Sequence, residues 1–80
     1  MDLIDQEWVV ISKDNCVYCD MVIELLNDNF IDYKILKTDK NLSPEQLVEI
    51  KPVDAKSYPF IFHNKKYFGG YRELKKELNK

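Results

Sequence analysis

Two hydrophobic periods alternate along the chain. Trp8-Val9-Val10-Ile11 is apolar on both faces, as a strand covered from both sides would be. Ser12 to Asn15 is polar and reads as a loop. From Cys16 the period changes: Cys19, Val22, Ile23, Leu26 and Phe30 recur every three or four residues, with Asp20, Glu24, Asn27 and Asp28 on the other face. That spacing predicts an amphipathic helix over residues 17–28. Tyr33 to Lys37 alternates more and predicts a second strand, nearer an edge.

The next helix carries its own start signals. Ser43 can cap it, Pro44 suits its first position, and Gln46 completes a Ser-x-x-Gln capping box. Leu42 and Leu47 fall where a hydrophobic staple would form. Pro52 disfavours helical geometry in the residue before it, so the helix should stop by Lys51. Phe60-Ile61-Phe62 and Lys66-Tyr67-Phe68 read as two short strands around an Asn64-Lys65 turn. Gly69-Gly70 break that run, and Tyr71, Leu74 and Leu78 give a terminal helix one apolar stripe. The predicted order is β-α-β-α-β-β-α, an α/β arrangement with a four-stranded mixed sheet flanked by three helices. The first two strands should be parallel with a right-handed crossover, and the last two an antiparallel hairpin.

Composition narrows the picture. Eighty residues allow one domain, residues 1–80. Apolar residues at 45% and charged residues at 32% support a modest core with a solvated surface. The net charge of −2, with lysines and acids interspersed, gives no sign of a nucleic-acid or membrane partner. The acidic start, Met1-Asp2-Leu3-Ile4-Asp5, lacks the basic and apolar regions of a signal peptide. A reducing cytoplasmic location is the resulting expectation. There, closely spaced cysteines point to catalysis or metal binding rather than to a structural bridge.

Cys16 and Cys19 are the chain's only cysteines. Dithiol chemistry needs two unlike thiols: one exposed and largely ionised to attack, the other waiting within reach. The helical reading supplies that difference. Cys16 falls at the helix start, where free N–H groups and the positive dipole end favour an anion. Cys19 shares the stripe of Val22, Ile23 and Leu26 and should point inward. The dipole contributes about 0.3–1 kcal/mol. A Lys13 ammonium within ~6 Å would add roughly 2.8 kcal/mol at an effective dielectric of about 20. Both lower the thiol pKa, while Asp14 and Asp20 oppose them.

Three alternatives stand beside redox chemistry. A closed zinc site takes four N or S ligands, and Cys16, Cys19 and His63 fall short unless a carboxylate joins. A structural disulfide would close too short a loop to remove much chain entropy. A chance pair of core cysteines is the third. His63, at a strand end before a turn, reads as a polar turn-flanking residue rather than a catalytic base. Trp8, Tyr33, Phe60, Phe62 and Phe68 read as core or half-buried strand residues.

At this point three motifs carry a resemblance. The run "VVISKDNCVYCDMVIELL", then "SYPFIF", then "FGGYREL" resembles the glutaredoxins, small dithiol members of the thioredoxin fold. The likeness covers nearly the whole chain and keeps the order and spacing of all three. It implies a thioredoxin-like fold and a glutathione-dependent thiol–disulfide oxidoreductase, monomeric, acting on protein disulfides and glutathione mixed disulfides. Cys16 would be the nucleophile and Cys19 the resolving thiol. Glutathione would be the reducing co-substrate, with no tightly bound cofactor or metal.

The resemblance also implies a glutathione site. Lys13 would meet a carboxylate and Tyr18 would flank the tripeptide. Ser57-Tyr58-Pro59 would present main-chain groups, with the Tyr58–Pro59 bond cis. Gly70 and Tyr71 would receive the γ-glutamyl end. Two departures stand out. Where an aspartate usually meets the γ-glutamyl ammonium, this chain has Arg72 and Glu73; Glu73 would serve if it folds back, and Arg72 would hold the neighbouring carboxylate. Val17 stands where proline is common. The resemblance therefore keeps two alternative functions in view. One is a redoxin reduced by thioredoxin reductase that donates electrons to ribonucleotide reductase. The other is a carrier of a glutathione-ligated iron–sulfur cluster.

Overall fold

The computed structural model describes residues 3–38, 40–51 and 58–79. Its element order is β1 (Trp8–Ser12), α1 (Val17–Asp28), β2 (Lys34–Lys37), α2 (Pro44–Ile50), β3 (Phe60–His63), β4 (Lys66–Gly69) and α3 (Tyr71–Leu78). The four strands form one sheet in the order β2-β1-β3-β4. β1 pairs parallel with β2 and antiparallel with β3, and β3 with β4 makes the hairpin. The expected fold is the observed one.

The doubly apolar β1 is buried along all five residues. Its side chains alternate between two cores, as strand geometry requires. Val9 and Ile11 join Ile4, Leu36, Leu42, Phe60 and Phe62, with Leu47 and Ile50 of α2 packed against them. Trp8 and Val10 join Ile61, Val22 and Leu26 of α1, and Leu74 of α3. The sheet is thus the middle layer, with α2 on one face and α1 and α3 on the other. No helix among the described residues is long and apolar enough to cross a membrane.

Local signals set the boundaries. Ser43 Oγ accepts the Gln46 N–H at 3.2 Å, and Gln46 Oε1 accepts the Ser43 N–H at 2.8 Å, closing the capping box. Leu42 and Leu47 lie in the same apolar cluster, as a staple requires. Lys51 leaves the helix with ψ 123°, as expected for a residue before proline. Asn64 and Lys65 both have positive φ, 53° and 69°, which is the two-residue turn suited to a twisted hairpin. Opposite β3, Ile61 pairs with Gly69 while Phe62 pairs with Tyr67, so Phe68 is an extra residue in β4, a bulge.

Phe30 departs from expectation. The periodicity puts it on the buried stripe, yet it is 95% exposed. α1 has ended by then, and Phe30 takes φ 57°, the left-handed position of a helix C-terminus. Its N–H donates to Asn27 O at 3.1 Å, and the Ile31 N–H donates to Leu26 O at 3.0 Å. This is the double bond pattern that glycine usually completes.

A left-handed non-glycine residue costs about 1–2 kcal/mol, and the exposed ring recovers little of it. Phe30→Gly is therefore expected to stabilise the protein by about 0.5–1 kcal/mol, net of glycine's extra chain entropy. Phe30→Ala, which keeps Cβ, should change little. Urea unfolding of the two variants checks this, and a Phe30→Gly variant less stable than the parent would show that the ring has a packing role.

Candidate active site

β1 ends at Ser12, and four residues later Cys16 caps α1. Its backbone is extended (φ −115°, ψ 105°), and its Sγ accepts the Cys19 N–H at 3.2 Å. The sulfur thus sits where a side-chain oxygen caps most helices, on N–H groups that would favour a thiolate. Asn15, at φ 56°, makes the turn into the cap. Cys16 and Cys19 are joined by a disulfide, with Cα atoms 5.2 Å apart.

The two cysteines are unlike, though less so than the sequence suggests. Cys19 is 1% exposed and Cys16 9%. The expectation of a well-exposed Cys16 is corrected: while it bonds Cys19 and caps the helix, its sulfur is held against the helix end. The remaining access is all at Cys16.

The sheet register brings the second motif alongside. Ile11 pairs with Phe60, so the cis Tyr58–Pro59 peptide falls beside Ser12, at the foot of the cysteine loop. Lys13 Nζ lies over the Tyr58 ring, 5.3 Å from its centroid, and that ring packs on Phe60 at 4.5 Å. The third motif meets the second at Gly70, where an added Cβ would lie 3.5 Å from the Pro59 carbonyl oxygen. Tyr71 then reaches Tyr18 of α1, ring centroids 5.8 Å apart. Lys13, Tyr58, Pro59, Gly70, Tyr71 and Tyr18 thus form a chain of contacts around the cysteine pair.

Glu73 does fold back. Its Oε1 accepts the Gly70 N–H at 2.7 Å, capping α3. Arg72 is exposed and joins none of these contacts among the described residues. Ser57 lies outside the described residues. Asp14, expected to oppose a Cys16 anion, is held by Lys37 at 3.3 Å and Lys40 at 4.0 Å, which offsets its charge. His63 ends β3 opposite Trp8, at the end of β1 far from the cysteines; it is half-buried, stacked on Trp8 at 3.9 Å and bonded to Glu7 at 3.1 Å. Among the described residues no group of three or more His, Cys, Asp and Glu could hold a metal. Lys75, unmarked in the sequence reading, lies over the Tyr71 ring at 5.9 Å. Its signal was the four-residue spacing from Tyr71 on one helix face.

A family model described as Glutaredoxin matches residues 8–68. No curated protein sequence matches the chain. Among solved structures, the chain is similar to a dithiolic glutaredoxin, 2-C-Grx1, from Trypanosoma brucei brucei. That pair is 31% identical with TM-score 0.76, covering 91% of this chain and 77% of the other. Reduced glutaredoxin C1 from Populus tremula x tremuloides is 27% identical with TM-score 0.79, covering 91% and 64%. A buckwheat glutaredoxin–glutathione complex is 21% identical with TM-score 0.76, covering 91% and 68%.

The two glycines should respond differently to a methyl group. At Gly69 the φ of +145° disfavours any side chain, and an added Cβ would lie 2.6 Å from Glu73 Cγ. Gly69→Ala is expected to lose about 1–3 kcal/mol and to displace the Glu73 cap. Gly70→Ala meets ordinary contact distances and should cost clearly less. Chemical denaturation of both variants is the check, and equal losses would contradict this account of the turn.

Proposed function

Because the chain belongs to the glutaredoxin family of thiol–disulfide oxidoreductases, we propose that it reduces glutathione mixed disulfides and protein disulfides with electrons from glutathione. The observation that supports this best is the Cys16–Cys19 pair itself, a disulfide whose less deeply buried member caps a helix.

In the proposed cycle the Cys16 thiolate attacks one sulfur of the substrate disulfide. That S–S bond breaks, the leaving thiolate takes a proton, and Cys16 carries a mixed disulfide. Two exits follow. A glutathione thiolate attacks the glutathionyl sulfur, forming glutathione disulfide and restoring Cys16. Alternatively Cys19 loses its proton and attacks the Cys16 sulfur, releasing the substrate thiol and forming the internal disulfide. Two glutathiones then reduce that bond, two electrons passing to it and one glutathione disulfide leaving.

Glutathione would lie along the rim. Lys13 would meet a carboxylate, Tyr18 would flank the tripeptide, and main-chain groups of Ser57, Tyr58 and Pro59 would pair with its peptide. Glu73 occupies the Gly70 N–H, so the γ-glutamyl carboxylate would take the next free N–H groups of α3, at Tyr71 and Arg72. The second Glu73 oxygen would accept the γ-glutamyl ammonium, and the Arg72 side chain would stand beside the carboxylate. The complex of a buckwheat glutaredoxin with glutathione supports this class of ligand. The proposed setting is cytoplasmic.

A coupled NADPH assay on a small glutathione mixed disulfide tests the reading. Turnover is expected with glutathione and glutathione reductase. Direct reduction by thioredoxin reductase, without response to glutathione, would replace the electron donor and favour a redoxin serving ribonucleotide reductase. Cys16→Ser is expected to abolish turnover. Cys19→Ser should keep reduction of the mixed disulfide and impair that of protein disulfides.

A further inference from the structure

Several cations near the disulfide stand outside ion pairs. Lys34 pairs with Asp5 at 3.0 Å, and Lys37 and Lys40 pair with Asp14 before the cysteines. On the rim, Lys13, Arg72 and Lys75 are all exposed. Among the described residues none of the three pairs with a carboxylate. Lys13 lies over Tyr58 and Lys75 over Tyr71, one tyrosine from each of the two segments that meet at Pro59 and Gly70. Acids near this face are mostly engaged. Asp14 holds two lysines and Glu73 the Gly70 N–H; Asp20, in the first turn of α1, is exposed. Between the cations, Val17 and Tyr18 are 70% and 54% exposed. A chain of net charge −2 therefore carries a locally positive, aromatic rim at its redox centre.

We propose that the protein clients of this enzyme present their disulfide on an acidic segment, with carboxylates on both sides of the cystine. One side would meet Lys13 at Tyr58, and the other Arg72 and Lys75 at Tyr71. Val17 and Tyr18 cover the apolar part of the segment. The inference rests on the oxidoreductase reading above and names the client class of that same site. The cations lie outside existing ion pairs, so a client carboxylate displaces no internal partner. The tyrosine faces hold the two lysines over the rim by cation–π contact, so less of their freedom is lost on docking. Attraction over several ångströms acts mainly on encounter and specificity, and it is screened by salt.

At ~7 Å in a water-like dielectric one such pair is worth about a threefold change in an equilibrium. Three pairs, partly screened, give on the order of tenfold. The test uses three disulfide-cyclised peptides of equal length whose cystine is flanked by Glu, Gln or Lys. The control substrate is the mixed disulfide of glutathione with 2-hydroxyethanethiol. At about 20 mM salt, kcat/KM should fall from the Glu peptide through Gln to Lys by roughly tenfold overall, and at about 300 mM salt the spread should shrink to about twofold. Lys75→Glu should lower kcat/KM for the Glu peptide at least about threefold and raise it for the Lys peptide by a similar factor. Equal kcat/KM for the peptides, a preference for the Lys peptide, or no peptide reduction while the control substrate turns over would each overturn the client inference alone. Failure to reduce any substrate, the control included, would overturn the oxidoreductase reading and this inference with it.

Discussion

The pairing of Ile11 with Phe60 is the constraint on which the rest of the site depends. β1 is the only strand among the described residues with both a parallel and an antiparallel neighbour, and it is buried on both faces. A slip of one residue would turn Val9 and Ile11 out of one core and Trp8 and Val10 out of the other. The register is therefore held by two sets of buried side chains at once. Holding it fixes Tyr58–Pro59 beside Ser12, and with it every contact that runs from Lys13 to Tyr18 around the cysteines. The chemistry is local, but its geometry is inherited from the centre of the sheet.

Much of this was legible in the sequence because the deciding signals were local. The change from an apolar run to three- and four-residue spacing at Cys16, and the Ser43–Gln46 box, each state a boundary in a few adjacent residues. What stayed hidden depended on three-dimensional placement. Phe30 fits the stripe by spacing, but the helix closes at Asp28, two residues before it, and the ring turns outward. The exposure of Cys16 was overstated because capping the helix and bonding Cys19 draw the same sulfur inward. His63 was read as a polar turn-flanking residue. Its stacking on Trp8 follows from their pairing across β1 and β3, which no short stretch of sequence reveals.

The Gly70 end of the site shows the same limit from another side. Glu73 in place of aspartate reads as a loss if only the residue type is considered. The turn at Gly69 changes that reading: with no Cβ at Gly69, the longer side chain lies back across it to reach the Gly70 N–H. Glutamate at this position then caps α3 through one of its two oxygens. The extra methylene is accommodated by the glycine four residues earlier, so the two positions are coupled. A substitution at either one is a substitution in the same small unit.

The helix cap has a consequence for the two cysteines that burial alone does not give. Cys16 Sγ accepts the Cys19 N–H, so the backbone of one cysteine holds the sulfur of the other at the helix start. Hydrogen bonds to an ionised acceptor are roughly twice as strong as neutral ones, so this donor would favour a thiolate at the same place. Cys19 has no such arrangement among the described residues: it is the more deeply buried of the two. One turn of helix therefore separates the pair into a sulfur held at the helix start and one packed inside. That difference is set by the position of the helix start, and the strand pairing that ends β1 at Ser12 sets where the helix starts.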